Sequence, residues 1–203
     1  MLKSSIFVIS ALALSALAAG AATVEEGDSQ YRHGRYAEAE STLRQVSQAN
    51  PDDPVAHEKL ALTLAALKKP EEAQSHIQMA SEKGLSEDRV KAAQAKVALE
   101  QRDISSASSL VDEALATNGE NADALHYRGM VRVAQKNFAG AVQDFEKSLE
   151  LNPDNPYAHY YAGVAYNGLN RKDQMVSHLE AFLRLAPEAP EADKVRSLMR
   201  AFR

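Results

Sequence analysis

The chain of 203 residues contains no cysteine and no tryptophan. The missing thiol excludes disulfides, thiolate catalysis, zinc–sulfur sites and lipid attachment to an N-terminal cysteine. Aromatic residues are scarce at 6%, while alanine is abundant. An excess of positive charge is absent too: Lys plus Arg is 23 against Asp plus Glu at 28, a net charge of −5. Phosphate backbones demand basic patches, so nucleic acid is not an expected partner. Neither G-x-x-x-x-G-K nor G-x-G-x-x-G occurs, so no nucleotide cofactor is expected. What is present, 45% apolar and 25% charged residues, is globular composition.

The one sustained apolar run opens the chain. MLKSSIFVISALALSALAAGAA carries Lys3, an apolar core from Ile6 to Ala19 and an A-x-A spacing at Ala19 and Ala21. This pattern reads as a secretory signal peptide over residues 1–21, cleaved after Ala21 or Ala22. The expected location is therefore periplasmic or secreted. The core is short for a bilayer span, which needs about 20 residues, so a membrane contact is expected only if the leader stays uncleaved.

Two stretches repeat one another. RYAEAESTLRQVSQANPDDP (35–54) and NFAGAVQDFEKSLELNPDNP (137–156) lie three steps of 34 residues apart. Stepping by 34 from Pro51 reaches Leu85, Gly119, Pro153 and Pro187, each following a helix-like segment. A small column reads Gly27, Ala61, Ala95, Gly129 and Gly163. A second reads Ala39, Ala73, Ala107, Ala141 and Met175, and four residues on come Leu43, Ile77, Val111, Phe145 and Leu179. Three further on are Val46, Ala80, Ala114, Ser148 and Phe182, and steps of four and three are helical spacing.

These columns describe a helix pair per repeat. Small residues on each helix let two backbones approach where they cross, and the Leu43 column is expected to fill the space between neighbouring pairs. Helices of a dozen residues are marginal alone in water, so stacking has to supply stability. Pro54 and Pro156 fit helix starts behind Asp53 and Asn155 as caps, and Ser86 and Asn121 occupy comparable cap positions. Gly34 breaks the first pair, and Lys68, Arg102, Lys136 and Asn170 take that place in the others.

The 34-residue period and the small–Ala–bulky columns resemble tetratricopeptide repeats of an exported bacterial type, five in register over about Ala22 to Pro187. The stretch from Leu125 to Asn155 is the closest copy. The resemblance implies an all-α fold: an α-solenoid of five helix-turn-helix repeats at about 22–53, 54–87, 88–121, 122–155 and 156–189, with a C-terminal capping helix in 190–203. Within 190–203, Val195, Leu198, Met199 and Phe202 form one apolar face. Lys194, Arg196, Arg200 and Arg203 leave a basic amphipathic membrane helix as the other reading. The cap is favoured, because the end of a solenoid needs covering.

The pattern has departures. The apolar position near the end of the first helix holds Gln30, Leu64, Ala98, Arg132 and Tyr166, so repeat three is expected to pack loosely. Met175 in place of Ala predicts a wider crossing in repeat five.

Catalytic patterns are missing. His57-Glu58 lacks the second His of an H-E-x-x-H helix, because Ala61 stands there. The six histidines (His33, His57, His76, His126, His159, His178) are scattered over repeats without a ligand pattern, so no metal is expected. The serines of ISSASSL (104–110) have no base fixed beside them. A hydrolytic enzyme is thus the least favoured function.

The resemblance implies instead a non-catalytic scaffold whose first helices line a concave groove for a partner protein or peptide. By position, the groove candidates are Tyr31, Glu58, Lys59, Lys96, His126, Met130, Tyr157, Tyr160 and Asn167, flanked by Tyr127 and Tyr161. Tyrosine suits interfaces because it joins apolar area to a polar tip. Some relatives clamp a C-terminal carboxylate with Lys and Asn, but Leu62 stands where the Asn would serve. Self-association into a homo-oligomer is the alternative function.

Overall fold

The computed structural model describes residues 22–200. The leader expected at 1–21, and Phe202 of the expected apolar face, lie outside the described residues. Among those residues there are eleven helices and no strand. They form five pairs: α1 (Val24–Arg32) with α2 (Tyr36–Ala49), α3 (Pro54–Ala66) with α4 (Pro70–Glu82), α5 (Glu87–Glu100) with α6 (Ile104–Thr117), α7 (Ala122–Ala134) with α8 (Phe138–Leu151), and α9 (Pro156–Gly168) with α10 (Lys172–Leu185). The last helix, α11 (Ala192–Arg200), packs on α10.

Local chemistry sets the helix ends. Asp53, Asn121 and Asn155 each accept a backbone N–H from the first turn of the helix they precede. Pro54 and Pro156 sit at the first helical position, and Pro70 does the same for α4. Ser86 takes the cap position of α5 as expected, although its side chain makes no capping hydrogen bond. Its neighbour Asp88 is instead held by the amides of Asn118 and Asn121, at 3.0 and 2.8 Å.

The turn inside each pair is one motif repeated five times. Gly34, Lys68, Arg102, Lys136 and Asn170 all have positive φ, between 57° and 76°. The following N–H closes back on the carbonyl five residues earlier, as Arg35 does on Gln30 and Asp103 on Ala98, both at 2.9 Å. The sequence therefore spares glycine in four turns without sparing the left-handed backbone.

The columns meet within each pair. A Cβ added to Gly129 would lie 2.5 Å from the Phe145 ring, and one on Gly163 would lie 2.8 Å from Leu179. The Leu43 column thus packs on the small column of its own repeat and also reaches the next repeat as expected, Phe145 stacking on Tyr161 and Leu43 sharing a core with Leu60 and Leu64. The two columns compensate. Glycine faces Leu43, Phe145 or Leu179, whereas Ala61 and Ala95 stand opposite the β-branched Ile77 and Val111.

Across repeats, each first helix packs on the next first helix: α1 on α3, α3 on α5, α5 on α7, and α7 on α9. Successive second helices are not packed on one another in this way. The solenoid therefore curves with its first helices inside. Met175 is fully buried in a core that repeats four and five share with Val195 and Met199 of α11. Leu198 of the expected cap face is 40% exposed.

Candidate functional site

The inner curve encloses a polar chamber of about 230 Å³. Its wall takes Asp28, Tyr31 and Arg32 from α1, Lys59 and Leu62 from α3, Lys96 and Glu100 from α5, and Asp123, His126, Tyr127 and Met130 from α7. Tyr157 and Tyr161 of α9 complete it, together with Tyr36 of α2 and Glu191, which precedes α11. Five of the seven tyrosines of the chain thus face one space.

The charges in this wall are arranged in chains. Asp28 lies between Lys59 Nζ at 2.8 Å and Arg32 Nε at 3.0 Å. Glu100 receives Lys96 at 2.5 Å and Lys68 from the outer side. Burial works against the Lys59 ammonium, but Asp123 and Asp28 outweigh it and hold its pKa above the ordinary lysine value. Burial likewise opposes ionisation of Glu100, and Lys96 and Lys68 overcome it, so its pKa is lowered. Both residues are therefore charged at neutral pH.

Two kinds of neutral group complete the wall. Burial drives the pKa of His126 down to about 3, with Lys96 adding to the effect. His126 Nδ1 is buried without a hydrogen-bond partner. Burial also raises Tyr31, Tyr36, Tyr127 and Tyr157, and pushes Tyr161 up to about 12. These phenols stay protonated and able to donate. The chamber so offers phenol donors, aromatic faces and paired charges, which is chemistry for recognition.

Six of the nine groove candidates line this chamber: Tyr31, Lys59, Lys96, His126, Met130 and Tyr157. Tyr160 and Asn167 face a different space, an apolar groove of about 370 Å³ between α9 and α11. Glu58 is buried and ion-paired with Arg89 of the next repeat, in a small crevice that adjoins the chamber behind Leu62, Asp123 and Tyr127. Burial raises its pKa against the pull of Arg89. Two residues missed by position, Asp28 and Leu62, stand in the same 34-residue column as Lys96 and Met130, so stepping the period through Lys96 would have found them. Asp123 and Glu191 lie one step before and after Tyr157 and carry the same signal, whereas Tyr36, on a second helix, does not.

The histidines are less scattered than their spacing suggests. His57 and His76 meet at 2.9 Å through their Nδ1 atoms, and His159 and His178 meet at 3.0 Å in the same way. In each pair the first ring also lies against a backbone carbonyl, of Pro51 at 3.0 Å or Pro153 at 3.2 Å. A carbonyl only accepts, so Nε2 of the first ring carries the proton and its Nδ1 accepts from the second ring. Ring centroids 5.1 and 5.2 Å apart place the nitrogens head to head, the geometry of an N–H···N bond. Repeats two and five are thus pinned by identical clasps between their two helices. Ser106 in the serine cluster donates to Asp103 at the exposed start of α6.

Comparison with known proteins agrees with this architecture. A family model described as tetratricopeptide repeat matches residues 30–97, and a second of the same description matches 92–156 and 128–190. No curated protein matches the chain. Among solved structures, TTC0263, a thermophilic tetratricopeptide-repeat protein of Thermus thermophilus, is 19% identical, with 87% of this chain and 96% of that one covered and a TM-score of 0.66. YrrB, described as a tetratricopeptide-repeat protein with an unusual peptide-binding site, is 15% identical, with 86% and 90% covered and a TM-score of 0.51. The Cut9–Hcn1 hetero-tetramer of the APC/C is 16% identical, with 83% of this chain but 34% of that one covered and a TM-score of 0.65. Proteins with this fold are generally protein–protein interaction scaffolds. With five helix pairs in register and family models matching across them, the chain belongs to the tetratricopeptide-repeat family.

Proposed function

We propose that this protein is an exported, non-catalytic scaffold that holds a segment of a partner protein or peptide on its concave face. The observation that carries the reading is the chamber. Its inner helices turn tyrosines, lysines and carboxylates toward a cavity, where stability alone would favour apolar side chains. The peptide-binding site named for YrrB is consistent with this use of the fold. The leader pattern at residues 1–21 supports a periplasmic or secreted location. No cofactor, metal or nucleic acid enters the reading, and membrane attachment enters only if the leader is retained.

A photo-crosslinking amino acid at Met130, inside the chamber, tests the reading against one at Gln74 on the exposed side of α4. The expected result in an envelope extract is a discrete adduct from position 130 and none from 74. Equal labelling at both, or none at either, refutes a groove-bound partner. Mass spectrometry of the exported chain should find an N-terminus at Ala22 or Thr23, and a retained Met1 overturns the export reading.

Self-association is the second reading. The apolar groove between α9 and α11, with Leu198 exposed beside it, supports it. Sedimentation of the processed chain decides it, because a monomer at high concentration removes the idea.

A further inference from the structure

The five equivalent turns differ in one respect. Four hold Lys68, Arg102, Lys136 and Asn170 at positive φ, and only the first holds glycine. The backbone does not require glycine there, since lysine, arginine and asparagine hold the same conformation elsewhere. What sets the first turn apart is its neighbour. A Cβ on Gly34 would lie 2.7 Å from Pro190 Cδ, 3.1 Å from Ala189 Cα and 3.1 Å from the Tyr157 hydroxyl. Two residues on, the Tyr36 hydroxyl donates to that of Tyr157 at 2.8 Å, and Tyr157 donates to Glu191 at 3.0 Å. The first repeat therefore touches the segment that follows the fifth, and a bare backbone at Gly34 makes room for it.

We propose that Gly34, Tyr36, Tyr157 and the 189–191 segment form a latch that shuts the solenoid into a ring, and that a partner reaches the chamber when this latch opens. The purpose of the latch rests on the chamber being the binding site; its existence does not. At about 230 Å³ the chamber lies below the roughly 300–1,000 Å³ of common ligand sites, so opening the latch would widen it toward the room an extended peptide takes. The closure is also slight. Besides the approach of Pro190 to Gly34, one hydroxyl hydrogen bond from Tyr36 to Tyr157 joins the two ends, and the hydroxyls of Tyr31 and Tyr127 bond across the chamber, whereas each repeat is held by the full length of two packed helices. Release would leave those helix pairs intact.

The absence of cysteine and tryptophan makes the test direct. Spin labels on cysteines introduced at Ala37 and Glu188, both exposed, flank the latch. The processed chain should show one short, narrow distance. Gly34→Lys installs the residue that the second and fourth turns already carry, so it wedges the latch while keeping the turn. It should lengthen and broaden the distance. Acrylamide quenching of tyrosine emission, which five chamber phenols dominate, should rise by roughly twofold as they open to solvent. Tyr36→Phe removes one hydrogen bond without adding bulk and should shift both readings in the same direction, which keeps the proposal testable if the lysine variant loses helix by circular dichroism. A long, broad distance in the unaltered chain, or a folded Gly34→Lys with unaltered distance and quenching, overturns the latch. Adducts at Met130 should increase in Gly34→Lys. Their absence from both forms counts against the binding reading alone, because the distances judge the latch independently.

Discussion

The fourth and fifth repeats share one continuous core that contains Phe145, Tyr166 and Phe182 and runs on into α11. The third repeat gives Val90, Ala93 and Val97 to the core of the first two repeats, and its remaining core forms two small groups bridged by Leu99 and Leu110. One gathers Ala92, Ala95, Val111, Ala114, Ala124 and Tyr127, and the other gathers Ala98, Ala107 and Val131. The hairpin geometry is the same in both regions, with the same turn and the same columns. What differs is how much side chain fills each crossing. A 34-residue plan fixes where helices meet and leaves the strength of the meeting to a few positions, so stability along such a rod is local and uneven.

Four measurements break or sharpen this contrast. The largest effect is expected at the bulky column. Phe145→Ala should cost about 3–5 kcal/mol by chemical denaturation, since it empties the space over Gly129. Val111→Ala at the same column in repeat three should cost roughly 1.5 kcal/mol, the value of two buried methyls. Equal losses at both sites would show that the two regions are packed alike.

The next effect is a pH dependence seated in repeat four. The folded pKa of His126 is lowered to about 3, below the unfolded value near 6.5. Its contribution is therefore fully present above the unfolded pKa and declines as pH falls from there toward the folded one. At about pH 5 the neutral ring should cost about 2 kcal/mol of stability, which His126→Asn should abolish from the pH profile.

Smaller still are the histidine clasps. His76→Ala and His178→Ala should each cost about 1 kcal/mol at neutral pH, in step with a single hydrogen bond. The two losses should be similar, because the clasps are equivalent. Burial lowers the pKa of His76, His159 and His178, so the advantage of the wild-type pairs should shrink as pH falls below about 6.5.

The smallest effect has the opposite sign. Arg102→Gly relieves a left-handed residue in the third repeat and should raise its stability by up to about 1 kcal/mol, measured as a higher thermal midpoint.

Much of this fold could be read directly. The period, the proline and Asx helix starts and the small and bulky columns each have a local cause that a sequence displays. The loose packing expected of repeat three from Ala98 does not follow, because small side chains let α5 and α6 come together as extensively as any pair in the chain. The chamber was legible where its residues obey the period, as Tyr31, Lys59, Lys96 and Met130 do. Glu58 was misplaced because a residue on a first helix can turn toward the next repeat, and Arg89 drew it there. The clasps escaped notice although both pairs are separated by nineteen residues, because a hydrogen bond between two rings has no motif. Closure was hidden for a different reason. Curvature accumulates from small angles between neighbours, and no single residue states the sum. Gly34 was the one clue, and it looked like an ordinary turn glycine.

The position of the junction between the second and third repeats relative to Gly34 and Pro190 has a mechanical consequence. A loop pinned at one point and yielding near the opposite point behaves as a pair of callipers. Pivoting α5 against α4, the least extensively packed of the junctions between successive repeats, by a few degrees would swing both jaws through a far larger arc, since the jaws are two and three repeats long. The alanines and valines at that joint would then set how wide the mouth gapes, at a distance from anything they touch.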